Sequence, residues 1–116
     1  MKRILVVDDD ALYVELAREV LQSEDVNVIS ASNGLAALQA LEKNLPDLII
    51  SDIEMPVMDG LTFYTRLKEK QTAIPFVFLS GTEDQELINR VLEMRGPKIL
   101  KKMNIVTELR SLLNTM

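Results

Sequence analysis

Short, wholly apolar runs alternate along this chain with segments whose apolar residues recur every three or four positions. Ile4–Val7 is a continuous apolar run that ends in Asp8-Asp9-Asp10. Ala11–Ser23 then places Leu16, Ala17, Val20 and Leu21 on one helical face. Val26–Ile29 predicts a second strand. Asn33-Gly34 reads as a turn, followed by a helix marked by Ala37, Leu38 and Leu41 that stops before Pro46. Leu48-Ile49-Ile50 predicts a third strand running into Ser51-Asp52, and a loop from Ile53 to Gly60 leads to a helix over Leu61–Lys70. Phe76-Val77-Phe78-Leu79 predicts a fourth strand ending at Ser80-Gly81. Thr82-Glu83-Asp84-Gln85 has capping-box spacing ahead of a helix carrying Ile88, Val91 and Leu92. Ile99-Leu100 is a short fifth strand, and Ile105, Leu109, Leu112, Leu113 and Met116 form the stripe of a last helix.

Five strand–helix units in series predict an α/β fold: one parallel sheet covered by helices on both faces. The unbroken apolar strands agree, because strands buried on both sides need no alternation. Right-handed crossovers favour a doubly wound, flavodoxin-like sheet in the order 2-1-3-4-5. Residues 1–116 are expected to form one domain, with no output domain beyond the last helix.

Composition narrows the chemistry. The 116 residues include no cysteine and no histidine. Disulfides, thiolate metal sites, Cys nucleophiles and imidazole acid–base catalysis are thereby excluded. With 13 Lys+Arg against 18 Asp+Glu the net charge is −5, which opposes binding to nucleic acid or to an anionic membrane. The first residues, Met1-Lys2-Arg3 and four apolar positions, are too short for a signal peptide. No apolar run approaches the roughly 20 residues that span a bilayer. A cytoplasmic protein is expected.

In a doubly wound sheet, ligands meet the carboxyl ends of the strands. Those ends carry Asp8, Asp9 and Asp10, then Asp52, Ser80, and Lys101 or Lys102. Carboxylates that converge repel one another, and a hard divalent cation, most simply Mg²⁺, relieves that repulsion. No GxxxxGK[ST] or GxGxxG phosphate loop occurs. A carboxylate, a metal, a hydroxyl and an ammonium suit phosphoryl transfer, with Asp52 as nucleophile forming an acyl phosphate. Simpler roles compete at individual positions. Asp9 or Asp10 can cap the first helix, Asp59 can cap or sit in the loop beside Gly60, and Glu83, Asp84 and Glu86 can be a solvated helix face.

Ile4-Leu5-Val6-Val7-Asp8-Asp9-Asp10, Asp52-Ile53-Glu54-Met55-Pro56-Val57-Met58-Asp59-Gly60 and Phe76-Val77-Phe78-Leu79-Ser80-Gly81 together resemble the bacterial response-regulator receiver domain, in order and over essentially the whole chain. The resemblance implies a phosphoacceptor switch in a two-component system. In it Asp52 accepts a phosphoryl group from a sensor histidine kinase or phosphotransfer protein. Asp9 would ligate Mg²⁺ directly, Asp8 mainly through water, and Glu54 through its backbone carbonyl. Ser80 would be the switch hydroxyl and Lys102, with Lys101 as second choice, would pair with the phosphoryl group. Output would pass through the Ser80 loop and the face of helix 4, strand 5 and helix 5 to a downstream effector, or to a phosphorylation-dependent homodimer. Such a domain is not an enzyme beyond its own phosphorylation and dephosphorylation.

The chain departs from the family pattern in having Met103 where a proline usually follows the lysine, in a short stretch from Gly96 to the lysine, and in Ile99 or Lys98 where strand five usually carries an aromatic. Two other readings stand beside the switch. One is a constitutive binding module. The other is an Asp-nucleophile phosphatase, suggested by the DxD pattern of Asp8-Asp9-Asp10. Against the phosphatase, Leu12 stands where haloacid-dehalogenase-like enzymes carry Thr or Val, and 116 residues leave little room for a cap.

Overall fold

The structure, a computed structural model, describes residues 1–115. The elements run β1 (Lys2–Val7), α1 (Ala11–Leu21), β2 (Val26–Ala31), α2 (Gly34–Leu41), β3 (Leu48–Ser51), α3 (Gly60–Glu69), β4 (Phe76–Ser80), α4 (Gln85–Glu93), β5 (Lys98–Lys101), a 3₁₀ turn (Lys102–Asn104) and α5 (Ile105–Thr115). The strands form one parallel sheet in the order β2-β1-β3-β4-β5, the expected arrangement. Met116, assigned to the last helix stripe above, lies outside the described residues.

Strand alternation splits the core in two. Ile4, Val6, Leu48, Ile50, Val77, Leu79 and Leu100 face α1 and α5, where they meet Ala17, Leu21, Ile105 and Leu109. The intervening Leu5, Val7 and Ile49 face α2 and α3, against Ala37, Phe63 and Leu67. Phe78 with Ile53, Leu61 and Val91 fills the space under α4. Both sides of the central strands are sealed, so β1, β3 and β4 are fixed relative to one another and their C-terminal residues are held in register.

Several element ends differ from expectation, each for a local reason. The first helix stops at Leu21 rather than Ser23. Gln22 turns extended, its Oε1 accepts from the Val28 N–H, and Ser23 Oγ accepts from Asp25 and Val26 N–H. Asn33 is the N-cap of α2 rather than a free turn, accepting from Ala36 N–H at 2.8 Å. The cap of α4 is Asp84, not Thr82: Asp84 Oδ1 accepts from Glu86 and Leu87 N–H, while Thr82 Oγ1 accepts from Asp84 N–H. β5 extends one residue each way beyond Ile99-Leu100, with exposed Lys98 and Lys101 at its ends. Lysines there keep an edge strand from pairing with other chains.

The loop from Asp52 to Gly60 is tightly built. Met58 N–H donates to the Pro56 carbonyl at 2.8 Å across Val57, whose φ is 69°, a γ-turn that is strained for a β-branched residue. Gly60 then passes so close to the Asp52 backbone that a Cβ there would run into the Asp52 carbonyl oxygen. Asp59 caps α3 through Thr62 N–H.

Candidate functional site

Parallel pairing brings the ends of β1, β3 and β4 side by side: Val7 pairs with Ser51, and Ser51 with Phe78. The Asp52 N–H donates to the Val7 carbonyl at 2.8 Å, and the Asp8 N–H to Ala31 at 3.1 Å. The two carboxylates therefore emerge from adjacent strands and are buried. Asp9, one residue further, is exposed. Carboxylate oxygens of Asp8, Asp9 and Asp52 all lie within 4.8 Å of one another. Asp10 points elsewhere, its Oδ1 capping α1 at Leu12 N–H. The capping reading thus holds for Asp10 and the clustering reading for the other three.

Lys102 enters this cluster. Its Nζ lies 2.9 Å from Asp8 Oδ2 and 3.0 Å from Asp52 Oδ2. The other carboxylate oxygens are engaged too: Asp8 Oδ1 accepts from Asp10 N–H and Asp52 Oδ1 from Ile53 N–H. Lys101 ends β5 opposite Ser80 and is exposed, so the register that favours Lys102 is the one the backbone adopts. A 3₁₀ turn begins at Lys102, whose side chain is largely buried.

Burial pushes the Asp52 carboxyl above the usual carboxylate range, and the neighbouring Asp8 charge adds to this, while hydrogen bonding to Lys102 offsets part of it. Burial alone would lower the Lys102 pKa, but its hydrogen bonds to Asp8 and Asp52 outweigh that and raise it. The ammonium stays charged at neutral pH and acts as a built-in counter-ion.

Ser80 closes β4 and is buried, with its Oγ accepting from Thr82 N–H at 3.0 Å. Among the described residues its hydroxyl proton meets no acceptor. Glu54 is exposed in the loop after β3. The spacing of apolar residues gave no sign of Tyr13, the sole aromatic of α1. Its ring lies against Lys102, with the ammonium 4.1 Å from the centroid. No helix among the described residues is long and apolar enough to cross a membrane.

Comparison with known proteins gives the family. The response regulator receiver domain model matches residues 4–114. The Vibrio campbellii autoinducer 1 sensor kinase/phosphatase LuxN is 34% identical over 113 residues, 95% of this chain but 13% of that protein. A protein-glutamate methylesterase/protein-glutamine glutaminase of Syntrophomonas wolfei is 40% identical over 82 residues, 69% of this chain and 23% of that protein. The chain thus spans only a small part of these relatives. Among solved structures, the Thermotoga maritima response regulator TrrA, in complex with Mg²⁺-BeF, superposes with a TM-score of 0.85 at 30% identity, covering 99% of this chain and 98% of that one. With the sheet order, the acidic cluster and the family match in agreement, the chain belongs to the response regulator receiver domains of two-component signalling.

Proposed function

We propose that Asp52 is the phosphoacceptor, that Asp8, Asp9 and Asp52 hold Mg²⁺ with the Glu54 carbonyl, and that Ser80 and Lys102 act on the phosphoryl group. The observation that carries this reading is the convergence of three carboxylates within 4.8 Å with an ammonium bridging two of them. An all-oxygen donor set of this charge suits a hard divalent cation. Mg²⁺ bound there supplies charge neutralisation on the phosphoryl oxygens.

The rest is done by the chain's own residues. An Asp52 carboxylate oxygen attacks phosphorus, the bond from phosphorus to the donor breaks, and the donor leaves with the electron pair. The Ile53 N–H at 2.7 Å from Oδ1 and the Lys102 ammonium at Oδ2 orient the nucleophile. Lys102 then stands beside the new phosphoryl oxygens and offsets their charge. The Ser80 hydroxyl, turned to Thr82 in the unmodified state, gains a strong acceptor in the dianion, which biases the Gly81–Asp84 segment towards a second arrangement.

The donor is the phosphohistidine of a sensor kinase or phosphotransfer protein in the cytoplasm. The output passes through α4, β5 and α5 to an effector or to a second copy of the chain, rather than to nucleic acid. Intact mass after incubation with acetyl phosphate and Mg²⁺ tests the assignment. One added phosphoryl group is expected on wild type and none on Asp52→Asn; equal labelling of both refutes it.

A further inference from the structure

We infer that Tyr13 is a positioning residue whose ring face holds the Lys102 ammonium at the phosphoacceptor. The inference rests on the phosphoacceptor reading of Asp52. An ammonium has three N–H donors and no acceptor. Two sides of Lys102 Nζ meet Asp8 and Asp52, at 2.9 and 3.0 Å. The Tyr13 ring covers another side, with its centroid 4.1 Å away, well inside the roughly 6 Å reach of a cation–π contact. The lysine side chain is only 9% exposed, so the attraction acts with little screening by water.

The backbone around the lysine gives it little other support. Met103 and Asn104 are exposed, and the 3₁₀ turn starting at Lys102 has no side-chain cap. The aliphatic stem passes Gly81, which has no side chain to meet it; an added Cβ would lie 3.6 Å from Lys102 Cδ, at ordinary contact distance. Tyr13, in contrast, is anchored. It sits in the first turn of α1, its N–H bonded to the Asp10 carbonyl, and it packs against the core shared by α1 and α5.

The choice of an aromatic has a chemical consequence. A ring face attracts a cation without offering a directional lone pair. The ammonium can therefore move from the carboxylates onto an incoming phosphoryl oxygen while staying on the ring. A third carboxylate at this position would hold it back.

The test uses Tyr13→Phe and Tyr13→Leu, in wild type and in a Lys102→Met background, with acetyl phosphate and Mg²⁺ as the phosphodonor system and intact mass as the readout. Tyr13→Phe is expected to label at the wild-type rate. Tyr13→Leu is expected to label about tenfold more slowly, and to cause no further loss in Lys102→Met. Equal rates for wild type and Tyr13→Leu, equal loss with Phe and Leu, or the same Leu effect without the lysine would each overturn the role. NMR of the unmodified protein reads the placement separately. The Lys102 Cε protons should be shifted upfield by the ring in wild type and Tyr13→Phe and not in Tyr13→Leu, and an unshifted wild-type signal overturns the contact. A wild type that takes up no phosphate sinks the phosphoacceptor reading itself, and with it the catalytic consequence of the ring.

Discussion

At the scale of single residues, Asp52 and Lys102 are opposite charges removed from water together. Lys102 is the counter-ion that Asp52 shares with Asp8. Substituting one partner of a buried pair costs about 3–5 kcal/mol because the other is left uncompensated. Lys102→Ala should therefore lower the metal-free melting temperature well beyond Lys101→Ala, whose exposed side chain places it within about ±0.5 kcal/mol of wild type. Comparable losses would mean that the ammonium is not the counter-ion. Asp52 has the opposite sense. Burial raises its pKa above the ordinary 3.8, so the folded chain binds more protons than the unfolded chain between those two values. Stability then falls as pH rises from 3.8 through the raised folded-state value, and the penalty is absent below 3.8. Asp52→Asn, which keeps Asp8 to hold the lysine, should melt higher than wild type at pH 7 in EDTA. The difference should shrink as the pH approaches 4, and a constant difference would contradict the burial argument. The three aspartates and the lysine were legible in the sequence because strand ends are easily located and charges there have few reasons to converge. Tyr13 was not legible, since a cation–π contact across the fold leaves no spacing to read.

At the scale of elements, misjudged boundaries came from polar side chains that compete for the same backbone donors. Thr82 and Asp84 both precede α4, and the sequence pattern satisfies a capping box at Thr82. The chain instead uses Thr82 to fix Asp84, and Asp84 to cap the helix. Asp84→Ala should cost about 1 kcal/mol, as loss of an N-cap does, and Thr82→Ala less; urea denaturation of the two variants measures the order. The Val57 γ-turn is a second case. Pro56 and Gly60 mark the loop as a turn, but the sequence gives no sign that a β-branched residue carries the positive φ of 69°. Val57 is largely exposed and packs against little. Val57→Gly should thus stabilise the fold by relieving strain of order 1 kcal/mol, partly offset by the greater freedom of glycine in the unfolded chain. A lower denaturation midpoint in Val57→Gly would show that the turn is not under strain.

At the scale of the whole molecule, the sheet order was legible because five strand–helix repeats with right-handed crossovers leave few ways to seal both faces. The order sets β5 beside β4, with Ser80 paired to Lys101, so that the residue after β5, Lys102, reaches the same edge of the sheet as Asp8 and Asp52. The layer beneath the α4–β5–α5 side is aromatic. Phe63, Phe76, Phe78 and Tyr64 form a connected web with centroid separations between 5.0 and 6.1 Å. Ile99 packs against the cluster of Ile53, Leu61, Phe78 and Val91; with Ile99 or Lys98 where the family usually carries an aromatic, there is no ring to swing between two sites. Motion is then expected to concentrate above the web, in Gly81–Asp84, where Ser80 Oγ releases Thr82 N–H as it turns to the phosphoryl group. Hydrogen exchange with and without beryllofluoride and Mg²⁺ measures this. Altered exchange at Thr82 and through the start of α4, with little change at Phe76–Phe78, is the expected pattern, and Ser80→Ala should abolish it. Changes confined to Asp8–Asp10 and Asp52–Gly60 would show that the hydroxyl does not carry the signal across the sheet.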